Sequence, residues 1–407
     1  MEPKVRFKGF SGEWNVYTIG DIAPVMGGYA FQSEQFSNSG IAIVRISNIL
    51  DTGIIGGDFV KYDIFTGDTS FRLYSGDILI AMSGATTGKV AIVKTDKFLY
   101  QNQRVGKFSR TDKINYSFLA SIVGSNKFRL ELNKRLTSSA QPNASSRDID
   151  SIQQYLPNDI IEQGTIASFF SSIDSTIISS AKKLASLKKL KSASLVTMFP
   201  QNGESTPKVR FKGFEGEWKE TTLSECLDIS YLQNSENKYD KNDVLSVSDD
   251  FGVMNQIELL GRSYAGKDVS SYSILQKGEI VYTKSPLKDK PFGIIKKNSY
   301  QTGIVSILYA VYHSKDNISA DYIHYYFDPA WRLNAYMRPL VNKGAKNTMN
   351  ISDEMALMGS LILPPSLAEQ QAIATFFRSL DRKIALETAR LEKLKQIKLA
   401  CLDKMFV

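Results

Sequence analysis

The sequence predicts an α+β fold: two tandem α/β domains separated by two long helices that pair as an antiparallel coiled coil, with pseudo-twofold symmetry. Three features predict it. The chain repeats itself once. Each half holds short apolar runs bounded by turn residues, and each half ends in a stretch whose apolar residues recur every three or four positions.

The repeat opens each half. Pro3–Trp14 (PKVRFKGFSGEW) recurs as Pro207–Trp218 (PKVRFKGFEGEW), with eleven of twelve positions alike at an offset of 204. Farther on, Glu162-Gln163 with Ile166 to Asp174 recurs as Glu369-Gln370 with Ile373 to Asp381, at an offset of 207 that holds to Met198-Phe199 and Met405-Phe406. The halves are therefore residues 1–204 and 205–407. Their inner parts, 17–155 and 221–362, share only faint echoes: Gly76-Asp77-Ile78-Leu79 with Gly278-Glu279-Ile280-Val281, and Tyr100-Gln101 with Tyr300-Gln301. One fold used twice, its exposed loops rewritten, accounts for this pattern.

In the first half Ile41–Ile46, Asp77–Met82 and Val90–Val93 are apolar runs bounded by Gly, Ser, Thr and Asp, hence buried strands. Val244–Val247, Glu279–Tyr282 and Val305–Tyr309 take that part in the second half. Helical patterns follow near Tyr116–Leu136 and Ala320–Leu340. Pro157 and Pro364-Pro365 then mark the starts of the long helices. Ile166, Phe170, Ile173, Ile177, Leu184, Leu187 and Leu190 form one stripe; Ile373, Phe377, Leu380, Ile384, Leu391, Leu394 and Ile397 form the other. A polar residue, Ser180 or Glu387, interrupts both at the same place. A helix of this length spans about 55 Å at 1.5 Å per residue. It cannot bury its seam alone, so the matching seams pair.

Of 407 residues, two are cysteines (Cys226, Cys401) and two histidines (His313, His324), which excludes a disulfide scaffold and a Cys/His zinc module. It also removes most routes to His-based catalysis. No apolar run is long enough to span a bilayer and the N-terminus carries no apolar signal segment, which points to a cytoplasmic protein. Fifty Lys and Arg against 42 Asp and Glu leave a net charge of +8, compatible with a polyanionic partner.

Two motifs approach catalytic patterns and miss. Ser83-Gly84-Ala85-Thr86-Thr87-Gly88-Lys89-Val90 resembles a phosphate-cradling loop, but Ser83 replaces the first glycine and Val90 cannot hold Mg²⁺. It reads as a small-residue turn between strands, polar enough to approach a nucleic-acid backbone or base edge. Phe327-Asp328-Pro329-Ala330-Trp331 approximates the tetrapeptide with which amino-methyltransferases hold a target base, yet the second proline and any glycine-rich cofactor loop are missing. A helix start with proline in its first turn is the simpler reading. Asp249-Asp250 and the Asp148/Asp150 pair read as caps and turns, and the run Lys182, Lys183, Lys188, Lys189, Lys191 as a solvated helix face. No catalytic constellation or metal site emerges, which favours a binding protein.

The binding candidates are loop residues that mix cations, amides and aromatics. In the first half they are Gly27-Gly28-Tyr29 with Phe31, Arg45 with Ser47-Asn48, the turn holding Ser83, Thr86, Thr87 and Lys89, Gln101-Asn102-Gln103-Arg104, and Gln141, Asn143, Ser145 and Arg147. In the second half they are Ser246, Ser248, Lys284, Ser285, Lys288, Lys290, Gln301, Thr302, Asn342, Lys343, Lys346 and Asn347. Arg and Lys suit guanine edges or phosphates, and Asn and Gln suit adenine. For any one of them the alternative is a solvated loop position.

A variable domain, then Leu-Pro, Glu-Gln, a Phe-Phe pair, Asp and a long leucine-rich helix, all repeated once, resembles the specificity subunit of type I restriction–modification systems. The Lys-Val-Arg-Phe-Lys-Gly-Phe heads and Gly76-Asp77-Ile78-Leu79 with Gly88-Lys89-Val90-Ala91-Ile92-Val93 resemble its target-recognition domains. The second half departs at Ser285-Pro286-Leu287, which replaces the glycine turn. The resemblance implies target-recognition domains at 1–155 and 205–362 and helical spacers at 156–204 and 363–407. It implies that each domain reads one half of a bipartite, asymmetric site in double-stranded DNA while the paired helices set the gap. It further implies a non-catalytic chain that docks two modification (methyltransferase) subunits and, in the full complex, restriction subunits. S-adenosylmethionine, ATP and Mg²⁺ then belong to those partners, with no cofactor in this chain. Phe169 and Phe376, just off the seam, either face the modification subunits or pack beneath their own domain. The alternatives are a self-contained DNA adenine methyltransferase and a coiled-coil adaptor that does not touch nucleic acid.

Overall fold

The repeated head and the repeated helix start fold onto one another. The computed structural model describes residues 1–136, 142–201, 203–287, 289–343 and 349–406, with backbone alone at 342–343 and 349–350. Arg6 donates from Nε and Nη2 to the two oxygens of Glu162 at 2.7 and 2.8 Å, and from Nη1 to the Gly12 carbonyl at 2.6 Å. Arg210 binds Glu369 at 2.7 and 2.8 Å and the Gly216 carbonyl at 2.7 Å. The planar guanidinium fork suits this two-bond grip. The next residue ties down a third segment: Gln163 accepts from the Asn115 N–H at 2.8 Å and donates to the Pro157 carbonyl at 2.9 Å. Gln370 accepts from the Ser319 N–H at 2.9 Å.

The chain folds as two compact units, residues 1–182 with 389–407, and residues 183–388. The first unit holds β1 (Asn15–Thr18), α1 (Ile19–Ile22), β2 (Val25–Gly27), β3 (Ile41–Val44), β4 (Lys61–Tyr62), β5 (Arg72–Leu73), β6 (Ile78–Ala81), β7 (Val90–Ile92), β8 (Leu99–Gln101), β9 (Val105–Phe108), α2 (Tyr116–Val123), α3 (Asn126–Arg135), α4 (Ser146–Asp150), β10 (Gln153–Leu156) and the start of α5 (Ile160–Thr197). An antiparallel sheet of order β2-β9-β6-β7 packs one face on α2 and the long helix; a second sheet, β4-β3-β8-β5, covers the other, with β3 parallel to β8. β1 pairs with β10 and so ties the head of the domain to its exit. Trp14, 2% exposed, sets its ring edge against Phe118 and Phe406.

The second unit repeats this order in its central sheet. It holds β11 (Lys219–Thr222), α6 (Leu223–Cys226), β12 (Leu227–Ile229), β13 (Leu245–Ser248), β14 (Gly252–Asn255), α7 (Gln256–Leu260), β15 (Ser273–Leu275), β16 (Ile280–Tyr282), β17 (Ile295–Lys297), β18 (Gly303–Val305), β19 (Ala310–Ser314), α8 (Ala320–Phe327), α9 (Ala330–Met337), β20 (Asn342–Lys343), β21 (Met349–Asn350), β22 (Ser360–Leu363) and most of α10 (Leu367–Met405). Its central sheet has the order β12-β19-β16-β17, and β11 pairs with β22.

Within each unit the helix segments run antiparallel. In the first, Phe170 stacks on Phe406 and Asp174 meets Lys398 at 2.5 Å. In the second, Lys183 meets Glu387 at 2.9 Å, Lys191 meets Asp381 at 2.9 Å and Phe199 stacks on Phe377. Among the described residues no helix is long and apolar enough to cross a membrane.

Three expectations are corrected. The run Val305–Tyr309 is not one strand: β18 ends at Val305, and Ser306–Tyr309 turn back into β19 through a Tyr309 N–H to Ser306 carbonyl bond of 2.9 Å. Leu190 and Ile397, the last seam positions, are 49% and 42% exposed. A helix of 3.6 residues per turn drifts away from a strict seven-residue repeat, and Lys191 and Lys398 turn inward instead. Lys191, its side chain 21% exposed between Asp328 and Asp381, is thus an enclosed member of the lysine run rather than a solvated one, whereas Lys183 pairs with Glu387 and stays exposed.

Glu162→Ala leaves the Arg6 guanidinium without its carboxylate. It should destabilise the first unit by about 3 kcal/mol, read as an earlier urea transition; Arg6→Lys, which keeps the charge and loses the fork, should fall in between.

Candidate nucleic-acid interface

Antiparallel pairing places the ends of β2 and β6 and the starts of β9 and β7 at one end of the first unit's sheet. The loops there are sewn together by backbone bonds. Tyr29 N–H donates to Gln101 O and Gln103 N–H to Tyr29 O, both at 2.9 Å. Asn102 N–H reaches Val44 O at 3.2 Å, Met82 N–H reaches Arg104 O at 2.9 Å, and Gly84 N–H reaches Pro142 O at 3.0 Å. Gly28 lies so close to this seam that a Cβ would stand 2.3 Å from the Gln101 carbonyl oxygen, so only glycine fits. The segments around 27–31, 44–48, 82–89, 101–104 and 142–147, far apart in sequence, therefore form one surface.

The candidates on it divide by exposure. Ser47, Gln103, Arg104, Asn143 and Arg147 are exposed. Tyr29 is half-buried, with ring centroids 4.7–5.2 Å from Phe31, Phe65 and Phe71. Asn48 is 1% exposed and donates to the Gly56 and Asp58 carbonyls, both at 3.0 Å, so it holds its own loop. Gln101 likewise donates to the Met26 and Val105 carbonyls at 2.8 and 2.7 Å. Thr87 Oγ1 donates to Gly84 O and Pro142 O, Lys89 Nζ pairs with Asp51 at 2.7 Å, and Asn102 Nδ2 donates to Gln103 Oε1. Ser145 caps α4 in a box with Asp148. Three polar atoms stand apart: Arg45 Nε, Ser83 Oγ and Thr86 Oγ1 are buried and, among the described residues, meet no hydrogen-bond partner. A buried polar atom left so costs about 1–3 kcal/mol.

In the second unit the corresponding sheet end carries the 283–294 loop and the 306–309 turn. Lys284, at φ +47°, pairs with Asp353 at 2.6 Å; Ser285 is half-buried, and Ser248 Oγ accepts from Phe251 N–H. Lys290 is 6% exposed and donates to Asp249 and to the Asp328 carbonyl, at 2.6 and 2.9 Å, so it is engaged within the unit. Gln301 and Thr302 are not brought here, since they follow β17 at the opposite end of the sheet. The Tyr-Gln echo is thus out of register: the counterpart of 102–104 is the 306–309 turn, where Ile307 and Leu308 are 59% and 63% exposed. Apolar residues there read as strand, and only their alternation with Ser306 could have marked a turn. Asn342 and Lys343 form β20; Gln141, Lys288, Lys346 and Asn347 lie outside the described residues.

Phe169 and Phe376 are half-buried and touch the heads of their own halves, with ring centroids 5.6 Å from Phe7 and 6.1 Å from Phe211.

An ion-pair chain runs beneath the second unit's loop. Lys290 and Lys296 share Asp249 at 2.6 and 3.3 Å, Lys296 meets Asp328 at 2.7 Å, and Lys191 joins Asp328 at 3.2 Å to Asp381 at 2.9 Å. Asp328 is therefore an ion-pair hub, not part of a target-base tetrapeptide. Burial alone would raise its carboxyl, but Lys296 and Lys191 hold it well below the usual carboxylate range. Burial, with Lys296 nearby, pushes the His324 imidazole down to about 4 from 6.5. Among the described residues no group of three His, Cys, Asp or Glu could hold a metal ion.

These shifts give the pH dependence a sign. Between pH 6.5 and about 4 the unfolded chain takes up a proton at His324 that the folded unit refuses, so the second unit loses stability as pH falls through that window. A further loss follows below the ordinary 3.8 of an aspartate, as the depressed Asp328 is neutralised. Urea denaturation at stepped pH should show both falls, and His324→Asn should remove the upper one.

Residues 11–189 and 215–396 each match the family described as the type I restriction modification DNA specificity domain. The type I restriction enzyme MjaVIII specificity subunit of Methanocaldococcus jannaschii is 28% identical over 187 residues, which span 44% of this chain and 44% of that protein. Among solved structures, the S subunit of the type-I restriction-modification system from M. genitalium aligns over 100% of this chain and 99% of that chain, with a TM-score of 0.66 and 15% identity. At that identity the likeness is one of fold.

Proposed function

Because the chain belongs to the type I restriction modification DNA specificity family, we propose that it is the specificity subunit of a type I restriction–modification complex and that each unit reads one half of a bipartite, asymmetric site in double-stranded DNA. The observation that carries this reading is the gathering of five sequence-distant loops on one sheet end of the first unit. That surface presents two exposed arginines, Arg104 and Arg147, beside exposed amides, the mixture that base-edge and phosphate recognition requires. In the second unit Ser285 and the 306–309 turn take the corresponding places, and the exposed Ile307 and Leu308 suit a thymine methyl. Unlike loops on like sheets predict two unlike half-sites, whereas identical units would read a palindrome.

The paired helices set the unspecified gap. A helix of 38 residues is about 57 Å long, enough to separate readers about one DNA turn, roughly 34–36 Å, apart. Two modification subunits dock on the helical parts and methylate an adenine in each half-site; restriction subunits complete the complex in the cytoplasm. S-adenosylmethionine, ATP and Mg²⁺ are bound by those partners, and this chain contributes recognition without catalysis.

Co-expression with the modification subunit, followed by single-molecule mapping of methylated adenines, should yield one split motif with two unlike specified halves around a fixed gap. Exchanging residues 17–155 for those of a different specificity subunit should change one half only. A motif altered in both halves, or methylation by this chain alone, would contradict the assignment.

A further inference from the structure

The first unit contains a cavity of about 430 Å³, bounded by the β6–β7 edge, α2 and the segments of α5 and α10 within that unit. Its origin lies in the repeat. The N-caps of α2 and α8 are held alike, Asn115 by Gln163 and Ser319 by Gln370. Ser117, Ala120, Ser121 and Gly124 therefore stand where the second unit has Asp321, His324, Tyr325 and Asp328. The strand registers make Ala91 and Ile92 the counterparts of Lys296 and Lys297. In the second unit those side chains fill the space: Lys297 pairs with Asp321 at 2.8 Å, Lys296 with Asp328 at 2.7 Å, and Tyr325 donates to Asp381 at 2.9 Å.

In the first unit these residues are absent, and one pair of the set survives. Lys398 holds Asp174 at 2.5 Å, as Lys191 holds Asp381. Lys191, however, has a second carboxylate, Asp328 at 3.2 Å, whose place in the first unit is taken by Gly124. Among the described residues Lys398 pairs with Asp174 alone. Arg110 adds a second cation to the lining where the second unit has Ser314; its guanidinium stacks on Tyr116 at 4.2 Å and reaches Asp77 at 3.3 Å. Ile54, Ile78, Phe170 and Ile177 supply apolar wall. The cavity thus lacks an aromatic ring, two carboxylates and two lysines that its twin provides from its own chain, and it has gained Arg110, which keeps Asp77 within 3.3 Å. Its volume falls within the range of small-molecule sites, about 300–1,000 Å³.

We propose that this cavity binds a small aromatic carboxylate, its anionic group between Lys398 and Arg110 and its ring against the apolar wall. The ligand takes the places that Asp328 and Tyr325 fill in the second unit. DNA plays no part in the site, so its occupancy is testable apart from the recognition reading.

Isothermal titration calorimetry of the full chain with 4-hydroxyphenylacetate should show saturable binding at one site. 4-Ethylphenol, which keeps the ring and lacks the carboxylate, should bind about tenfold or more weakly. Lys398→Gln and Arg110→Gln should each weaken the carboxylate about tenfold. Grafting the second unit's filling with A91K/S121Y/G124D should abolish binding while the circular dichroism spectrum is kept. Should that triple variant not fold, Gly124→Asp alone, which sets a carboxylate in the ligand's place, should weaken binding by about tenfold as well. No binding of 4-hydroxyphenylacetate, equal binding of 4-ethylphenol, or binding undiminished by Gly124→Asp would overturn the proposal.

Discussion

The structure depends on a dipeptide. Glu162-Gln163, and again Glu369-Gln370, sits in the first turn of each long helix, 1–4% exposed, and fixes the chain segments that meet there. The glutamate takes the arginine of the leading motif in a two-bond grip, and the glutamine takes the N-terminus of the first full helix in the domain of the same half. A buried carboxylate is tolerated only when its partner is equally fixed. The head motif therefore keeps Arg with the turn carbonyls that complete the guanidinium's bonds, which is why eleven of its twelve residues recur. The rest of each unit hangs from this clamp: β1 on β10, β11 on β22, and the central sheet against the helix.

On that common frame the two units diverge in two places. The loops at one sheet end differ in length and chemistry, which is where a recognition surface can change without disturbing the fold. The space between sheet, first helix and long helix differs as well. The second unit fills it with an ion-pair chain reaching from Lys290 to Asp381, so its loop is braced by charges on the helices of the same unit. The first unit replaces the same positions by Ala91, Ser121 and Gly124 and leaves the space open.

What the sequence made legible was whatever repeats or alternates. The heads, the Glu-Gln and Met-Phe pairs and the inner strands at Ile41, Ile78 and Ile280 could be read because each has a local signature. What escaped was set by tertiary context. Lys191 looks like any member of a lysine run until Asp328 and Asp381, more than a hundred residues away, enclose it. Lys290 reads as a loop cation, yet it is buried on Asp249. Asn48 has the residue type of a base reader, and its amide is occupied by two carbonyls of its own loop. Ile307 and Leu308 look like strand residues because hydropathy cannot separate an exposed turn tip from a buried strand end. The gathering of the first unit's loops was legible only as a list of candidates; their adjacency depended on strand register, which composition does not reveal.

The most direct measurement is the salt dependence of duplex DNA binding by the chain assembled with its modification subunits, for the wild type and for R104A/R147A. If the gathered loops of the first unit grip the DNA backbone, log K falls linearly with log salt concentration, and the double variant lowers the magnitude of that slope by about two. An unchanged slope in the variant, or an association indifferent to salt, would contradict the assignment of this surface to DNA.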